Sequence, residues 1–367
     1  WSLVTLAATL AMRRFAYYFA INVALLTAYL SWLILEFSGF RKLVVEHAEV
    51  PEERKKKAKQ KRGGGSSSAA SRFGMALGVI VVFFLVFFPN IGKAINTASQ
   101  AFFAPIDAWC ESLNWLKDNT SDPFGNPDFY YELHKSPPPG KNYDYTETAY
   151  GVTAWWDYGY WITRIGRRIP TSNPGTGAHG EQFIFTAQDE TSANEILDQW
   201  GSKYIIVDHD IATIIGGKFA ALATLSGSSL DKFGGLYYQL QENTLKPVIV
   251  FYPEYYRSFV VRLYNFDGRA VVPNRSMVIS YEVKANSDGQ SYRQITDVKS
   301  FDSYPEAQAY VARQKSDNFR IISDNPYVSP VPLLALQHCK LIYSSKGSVM
   351  EPGGNTVPEV KIFEYIK

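Results

Sequence analysis

The chain of 367 residues has few of the residues that build disulfides and metal centres: two cysteines, four methionines and five histidines. Cys110 and Cys339 are far apart, so the sequence does not show whether they form a disulfide. Neither has the spacing of a metal site, and His179 and His209 are isolated from other ligand residues. No cluster of Asp, Glu and His with the spacing of a divalent-cation site is present. The sequence therefore predicts no metal site in this chain.

The chain also lacks a strong net charge, which is +2 at pH 7 with neutral histidines. Residues 1–93 contain 13 Lys/Arg against 5 Asp/Glu, which leaves 24 against 30 for the remainder. A nucleic-acid-binding domain would present a basic face of its own. Because the basic excess is confined to one short region, we expect no nucleic-acid partner.

Long hydrophobic runs are present, in contrast. Two stretches of 21 and 20 residues carry no charge, "FAYYFAINVALLTAYLSWLIL" and "FGMALGVIVVFFLVFFPNIG". Each is long enough to cross a hydrocarbon layer of about 30 Å as a helix. We predict the end of one transmembrane helix and a full span within residues 1–40, and a last transmembrane helix at 73–93. A buried core helix is the alternative for the first run.

The membrane topology is predicted from the segment between these runs. Residues 41–72 hold ten Lys/Arg and four Asp/Glu and include "GGGSSS", a composition that cannot bury a core. Basic loops mark the cytoplasmic side of a membrane protein. We therefore expect a multi-pass protein of the cell membrane, with the loop 41–72 cytoplasmic and residues 94–367 extracellular. The apolar run at Trp1, without a signal peptide, leads us to expect a fragment of a larger polytopic protein.

The outer part is expected to contain both helices and strands, so the predicted fold class is membrane-anchored α+β. Within residues 94–257, "TSANEILDQW", "KYIIVD" and "GKFAALATL" are typical of a helix, a strand and a helix, which indicates a mixed α/β domain. Residues 258–367 are predicted to form a β-rich subdomain. Its strands would include "SFVVRLYNF", "SMVISYEV" and "VKIFEYI", with one helix at "YPEAQAYVARQ".

One short motif does not suit ordinary packing: Trp155, Trp156 and Asp157, followed by Tyr158 and Gly159. Adjacent side chains point about 100° apart on a helix and about 180° apart on a strand, so no regular element places all three on one core face. Two indole N–H donors and one carboxylate at a turn can instead hold a hydroxyl group. The alternative is a buried aromatic cluster with the carboxylate bonded to backbone amides.

The sequence "WWDYG" resembles the signature of the catalytic subunit of oligosaccharyltransferase, and "MRRFAYYFAINVAL", "RSFVVRLYNFDG" and "VKIFEYIK" look most like archaeal members. The resemblance covers nearly the whole chain and corresponds to a C-terminal portion. It implies an enzyme that transfers a lipid-linked oligosaccharide, on a carrier of the dolichol phosphate type, to Asn in Asn-X-Ser/Thr. Trp155, Trp156 and Asp157 would bind the Ser/Thr hydroxyl of the acceptor polypeptide. Tyr158 and Gly159 would hold the shape of the turn.

A second motif of that family has the pattern D-x-x-K-x-x-x-M, and "IGGKFAAL" at residues 215–222 matches it in part. Lys218 matches the lysine, while Ile215 and Leu222 replace the aspartate and the methionine. The resemblance implies that Lys218 and Leu222, one helical turn apart, flank the acceptor site, with Leu222 favouring Thr over Ser. Asp210, further upstream, is an alternative source of the missing acid. The competing interpretation is that Lys218 is solvated after a Gly-Gly turn.

The resemblance also implies that Arg14, in an Arg-Phe pair, binds the lipid-linked pyrophosphate. Such an Arg suits bidentate phosphate binding and equally suits interfacial anchoring, and Arg13 competes for either role. The divalent metal expected in the full enzyme, Mn or Mg, would have its ligands outside this chain. We therefore expect no catalytic residue here and an inactive fragment. The alternatives are a non-catalytic, membrane-anchored peptide- or glycan-binding module and a glycosidase-like domain, for which no pair of carboxylates is evident.

Overall fold

The computed structural model describes residues 1–39, 67–100, 104–126, 128–139, 141, 143–286, 288–350 and 356–367; for residues 14 and 67–71 it describes the backbone alone. The chain divides into two units, Trp1–Phe103 and Ala104–Lys367. Most of the predicted cytoplasmic loop 41–72 lies outside the described residues, and its sidedness stays a prediction.

The first unit is helical in its described part. Its helices α1 to α4 are Ser2–Ala11, Ala16–Phe37, Ser67–Val82 and Phe88–Gln100, and a π-helical turn at Phe83–Phe87 joins the last two. Two stretches, Ala16–Phe37 and Arg72–Gln100, are long and apolar enough to cross a membrane by length and composition. The second continues beyond the predicted end at residue 93, because "AINTASQ" contains no proline or glycine that would stop a helix.

The second unit combines helices with strands, as the sequence predicts. Its helices α5 to α12 are Asp107–Asn119, Glu181–Thr186, Glu190–Gln199, His209–Ala212, Phe219–Leu225, Pro253–Arg257, Phe259–Phe266 and Tyr304–Gln314. Its strands β1 to β12 are Gly151–Thr153, Ile169–Pro170, Ser202–Asp208, Gly234–Gln241, Thr244–Phe251, Ser276–Ala285, Ser291–Phe301, Phe319–Ile322, Cys339–Ser344, Ser348–Met350, Thr356–Pro358 and Val360–Tyr365.

Five strands form the first sheet, in the order β2-β1-β3-β12-β9. Strand β1 runs parallel to β2 and β3, whereas β12 is antiparallel to β3 and β9. The central strand β3, "SKYIIVD", is rich in apolar residues because helices cover it: α7 and α11 pack against β3, and α5 packs against β12. Ile205, Ile206 and Phe363 in these central strands have no exposed surface, so the main core surrounds them.

The second sheet has the order β5-β4-β7-β6-β8 and a smaller core around Tyr237, Val250 and Ile279. It consists of two antiparallel hairpins, β4–β5 and β6–β7, with β8 pairing along β6. Inside this core the hydroxyls of Tyr237 and Tyr252 are 2.6 Å apart, so each buried oxygen has a hydrogen-bond partner.

The predicted boundary at 257/258 does not separate the two sheets. Strands β9 and β12 come from the end of the chain and complete the first sheet, while β4 and β5 precede the boundary and belong to the second. The prediction of a strand at "SFVVRLYNF" is also wrong, since Phe259–Phe266 forms helix α11. A short, almost entirely apolar run suits a buried strand and a buried helix equally, because periodicity does not separate them.

Candidate functional site

The tryptophan motif lies at the carboxyl edge of the first sheet. Strand β1 ends at Thr153, after which Trp156–Tyr158 form a 3-10 turn and Gly159–Trp161 form one turn of α-helix. The parallel strand β3 ends at Asp208. Because parallel strands bring their carboxyl ends to one edge of a sheet, the motif and the residues that follow β3 are neighbours.

Trp155 and Asp157 are in direct contact. The Nε1–H of Trp155 donates to Oδ2 of Asp157 over 3.1 Å, since the turn folds the carboxylate back towards the indole two residues before it. Trp155 is 2% exposed, whereas the side chain of Asp157 is 36% exposed. The carboxylate is therefore reachable from solvent while the indole that holds it is buried.

The second indole, that of Trp156, is placed differently. Its ring centroid lies 5.7 Å from that of Trp155, at an interplanar angle of 49°. Its Nε1 is buried and has no hydrogen-bond partner among the described residues. A buried donor without a partner costs about 1–3 kcal/mol, so a movement of the indole that gave this N–H an acceptor atom would be favoured. The two indoles therefore do not converge on Asp157 in the same way.

Lys218 completes the polar group around the motif. Its Nζ lies 3.2 Å from Oδ2 of Asp157 and donates to the hydroxyl of Tyr158 over 3.0 Å. The ammonium also lies 4.3 Å from the centre of the Tyr158 ring, within the range of a cation–π interaction. The lysine side chain is 30% exposed, so it is a paired residue at the edge of the site and not a freely solvated one.

The turn before helix α9 brings Lys218 to this position. The backbone N–H of Lys218 donates to the carbonyl of Asp210 over 2.7 Å. A Cβ at Gly217 would lie 2.4 Å from the same carbonyl oxygen, so only glycine permits this close approach. Asp210 therefore contributes its backbone, while the carboxylate paired with the lysine belongs to Asp157.

Leu222 does not line the site. It has no exposed surface and belongs to the main hydrophobic core, although its N–H donates to the carbonyl of Lys218 over 3.1 Å. Lys218 and Leu222 lie one turn apart, as predicted, but the side chain of Leu222 packs into the core. It therefore has no surface in this structure that an acceptor could contact.

Tyr158 and Gly159 fix the position of the turn through close packing. Tyr158 is 2% exposed and packs against two indoles that also contact each other, with ring centroids 4.3 Å from Trp109 and 5.2 Å from Trp161. A Cβ at Gly159 would lie 2.3 Å from the carbonyl oxygen of Ser172. Gly159 has ordinary helical torsion angles, so this close approach, and not the turn conformation, requires glycine.

Asp208 is a buried acid beneath the motif that the sequence did not single out. Its Oδ2 accepts the indole N–H of Trp109 over 3.1 Å, and its Oδ1 accepts the backbone N–H of Ile211 over 3.0 Å, which caps helix α8. Burial raises the pKa of Asp208, and hydrogen bonds from Tyr158 and Ile211 oppose the rise. Burial and the nearby Asp208 charge also raise the pKa of Tyr158 well above its usual value.

A second buried acid, Glu181, lies against the motif from another side. It has no exposed surface, and its Oε2 accepts the backbone N–H of His179 over 2.9 Å. Burial raises the pKa of Glu181, while the backbone N–H groups of His179 and Trp156 and the hydroxyl of Ser172 favour the charged form. The burial of Glu181 and the contact between Trp109 and Asp208, 99 positions apart, depend on tertiary structure and have no local sequence signal.

The remaining residues of types that bind metals are dispersed. In the part of the chain that the structure describes, no three or more His, Cys, Asp and Glu side chains lie together as a group that could hold a metal ion. Cys110 and Cys339 are both free, so the two cysteines do not form a disulfide. His209 contacts the hydroxyl of Thr213 at 3.2 Å within its own helix end, which is a structural role.

The segment that forms the sheet edge and the motif matches the model of a known protein family. Residues 106–212, which include strands β1 to β3 and the motif, match the family described as the AglB core domain. The resemblance to archaeal oligosaccharyltransferases is thereby confirmed, and over most of its length the chain is similar to part of such proteins. Its relatives are glycosyltransferases by name.

One curated relative and two solved structures illustrate the similarity. The chain is 27% identical to the dolichyl-monophosphooligosaccharide–protein glycotransferase AglB of Haloferax volcanii, over 96% of this chain and 34% of that protein. Two structures of Archaeoglobus fulgidus oligosaccharyltransferase share the fold at 20% identity, with TM-scores of 0.53 and 0.52. Both match 100% of this chain, against 43% and 42% of their own chains. One is tethered to an acceptor peptide containing the NVT sequon, and the other is in complex with an inhibitory peptide and a dolichol-phosphate. The chain spans about a third of the length of the curated relatives that it matches.

Proposed function

We propose that this chain is the acceptor-reading portion of an oligosaccharyltransferase, which transfers a lipid-linked oligosaccharide to Asn in Asn-X-Ser/Thr. The observation that carries the proposal is the partly exposed carboxylate of Asp157, held by Trp155 and Lys218 at the sheet edge. The relatives supply the class of reaction. The carboxylate is the group that we assign to the Ser/Thr hydroxyl.

The chemistry of the assignment follows from the two oxygens of Asp157. The contacts made by Trp155 and Lys218 both fall on Oδ2. An ionised carboxylate accepts hydrogen bonds on both oxygens, so Oδ1 is the atom that we assign to the acceptor hydroxyl proton. The same hydroxyl oxygen would accept the N–H of Trp156, which is otherwise without a partner. Because that N–H is buried, the indole must turn outward when the acceptor binds.

We propose that the site discriminates strongly against acceptor peptides without the side-chain hydroxyl, and that it discriminates less between Thr and Ser. A site that hydrogen-bonds a substrate hydroxyl rejects an analogue without it by several orders of magnitude, because buried polar groups are left unpaired. A methyl group in an apolar pocket contributes only about 1–3 kcal/mol. Leu222, the residue expected to supply that pocket, is buried in the core. We therefore assign no Thr preference to it.

The partners of the whole enzyme are proposed by class. An acceptor polypeptide and a dolichol-phosphate type lipid are bound in the solved relatives, and we assign the same two classes to the complete protein. Arg14 stays a proposed contact to the lipid-linked pyrophosphate, and its side chain lies outside the described residues. The divalent metal, Mn or Mg, would be held elsewhere in the enzyme, since no described group in this chain fits it. We assign Asp157 to the acceptor and not to a metal.

Replacing Lys218 by Met tests the proposed support of Asp157. Met keeps the length of the lysine stem and removes the charge, so Asp157 loses the cation 3.2 Å away and holds the hydroxyl in a less favourable geometry. A hydrogen bond to a charged group at a partly exposed position contributes modestly, so we expect KM for an Asn-X-Thr peptide to rise roughly tenfold in the complete enzyme. Glycosylation kinetics with a labelled peptide measure the change.

Lys299→Met is the matched control for that experiment. Lys299 also joins a tyrosine hydroxyl and an acid, with its Nζ 2.8 Å from Tyr310 and 3.8 Å from Asp297, but it lies on strand β7 of the second sheet. We expect its removal to leave the acceptor KM unchanged. If both variants change KM equally, or if Lys218→Met has no effect, Lys218 has no specific role in acceptor binding.

The proposed membrane topology is tested at residue 58, in the basic loop and outside the described residues. A single cysteine at Ala58, with Cys110 and Cys339 replaced by Ser, should react with a membrane-impermeant maleimide only after the membrane is permeabilised. A cysteine at Leu334, which is 83% exposed, should react in intact cells. The basic loop favours the cytoplasm. Labelling of residue 58 in intact cells would reverse the proposed orientation.

A further inference from the structure

The ammonium of Lys218 has two polar partners, and only one of them is the carboxylate of the motif. The other is the hydroxyl of Tyr158, 3.0 Å away, in a side chain that is 2% exposed. A lysine side chain loses up to about 2 kcal/mol of rotamer entropy when it is fixed in one position. A rigid second partner therefore decides whether Lys218 stays beside Asp157 or turns towards solvent.

The phenol ring of Tyr158 is well suited to be that rigid partner. It packs in one cluster with Trp109 and Trp161, with an interplanar angle of 24° to the ring of Trp161. These contacts restrict the ring, so its oxygen occupies a defined place under the motif. The cation–π contact between Lys218 and the same ring adds a second restraint on the ammonium.

The position of the Tyr158 ring depends in turn on Asp208. The carboxylate of Asp208 accepts the indole N–H of Trp109 over 3.1 Å and the backbone N–H of Ile211 over 3.0 Å. The indole that Asp208 holds in this way packs against the Tyr158 ring, with 4.3 Å between the ring centroids. The Tyr158 oxygen then accepts a hydrogen bond from Lys218, whose ammonium can only donate.

We infer that Tyr158 and Asp208 are positioning residues for the acceptor site. They act as a relay in which Asp208 holds Trp109, Trp109 packs against the Tyr158 ring, and the Tyr158 hydroxyl holds Lys218. The relay holds the ammonium against Oδ2 of Asp157 and so keeps Oδ1 oriented for the acceptor hydroxyl. Asp208 is the N-cap of helix α8 and lies ten residues before Lys218, so a buried acid at the end of β3 positions the lysine through other residues. The inference rests on the proposed function and assigns to Tyr158 a role beyond the shape of the turn.

Tyr158→Phe in the complete enzyme tests the relay with a single atom removed. We expect the acceptor KM to rise about five- to tenfold with kcat nearly unchanged, because ground-state positioning of Lys218 is lost while the chemical groups remain. Asp208→Asn should act in the same direction. The amide presents an N–H₂ donor either to the N–H of Ile211 or to the N–H of Trp109, so it weakens the hold on the indole that packs against Tyr158.

Tyr255→Phe is the matched control, since Tyr255 is also a buried tyrosine of the main core, 1% exposed, whose hydroxyl donates to the carbonyl of Ala212 over 2.9 Å. Loss of this hydroxyl should lower the melting temperature about as much as Tyr158→Phe does and leave KM unchanged. If both tyrosine variants raise KM equally, the effect is general destabilisation and the relay is wrong.

A double-mutant cycle with Lys218→Met decides between positioning and any other role of the phenol. In the Lys218→Met background, Tyr158→Phe should have no further effect on KM, because the relay has nothing left to hold. Additive effects of the two substitutions would overturn the inference. The proposed function fails separately: it fails if Asp157 variants keep the parental acceptor KM, whatever Tyr158→Phe does.

Discussion

Asp157→Asn in the complete enzyme is expected to lower kcat/KM for an Asn-X-Thr peptide by at least about a hundredfold. The amide removes the negative charge that faces Lys218 at 3.2 Å. It also places an N–H₂ group where the site must accept, either towards the Trp155 donor at 3.1 Å or towards the acceptor hydroxyl. Initial rates with a labelled peptide measure the loss.

A matched peptide distinguishes a loss of hydroxyl recognition from a general loss of enzyme activity. Val has the shape of Thr without the hydroxyl, so an Asn-X-Val peptide makes every contact except the one assigned to Asp157. The parental enzyme should bind the Thr peptide orders of magnitude better than the Val peptide, measured as inhibition constants in competition. Asp157→Asn should bring the two constants close together. A variant that keeps the full preference for Thr would contradict the assignment of Asp157.

Asp198→Asn provides the control on the protein side. Asp198 is also paired with a lysine, at 3.8 Å from Lys367, but its side chain is 51% exposed and lies on helix α7. Exposed ion pairs of this kind contribute about 0–1 kcal/mol. We expect the glycosylation rate and the ratio of the two inhibition constants to stay at parental values in this variant.

The sequence predicts elements whose signals are local. "KYIIVD" and "YPEAQAYVARQ" form the predicted strand and helix, because a run of β-branched residues and a Ser-Tyr-Pro start are recognisable within a few residues. The association of strands into sheets was not predictable, since it joins β12 to β3 across more than 150 positions. The boundary at 257/258 rests on a higher content of strand-like segments after that position. The residue composition of a segment does not show which sheet its strands join.

The candidate site divides in the same way. "WWDYG" identifies the turn, and Lys218 is identified by its partial motif, so both are within reach of the sequence. That the lysine contacts Asp157 depends on tertiary structure, and so does the burial of Leu222. Asp208 is the last residue of a strand whose apolar run is typical of a buried position. Because a buried acid is costly unless it is paired, an acid at such a strand end indicates a candidate functional or structural site.

Gly159→Ala is expected to destabilise the motif because there is no space for one methyl group. A Cβ at this position would lie 2.3 Å from the carbonyl oxygen of Ser172 and 2.6 Å from Cα of Asn173. Both are backbone atoms, so the neighbouring segment must move as a whole. Overpacking of this kind costs about 1–3 kcal/mol, which exceeds the gain of about 0.5–1 kcal/mol that Ala brings in a helical conformation.

The consequence should be largest around the site. The segment that packs on Gly159 contains Ser172 and Asn173 and lies in the chain between strand β2 and the buried acid Glu181. We therefore expect Gly159→Ala to lower the melting temperature of the complete enzyme, to speed amide hydrogen exchange at residues 155–173 and to raise the acceptor KM.

Gly166→Ala is the matched comparison, and its expected effect on stability is opposite to that of Gly159→Ala. Gly166 follows the same turn, and a Cβ there would meet Leu113 Cδ2 at 3.4 Å, an ordinary contact with a side chain. Replacing a glycine whose conformation suits Ala stabilises a protein by about 0.4–1 kcal/mol through the unfolded state. We expect an unchanged or slightly raised melting temperature and a parental KM for this variant. If the two alanine variants behave alike, close packing of residues 172–173 on Gly159 does not hold the motif in place.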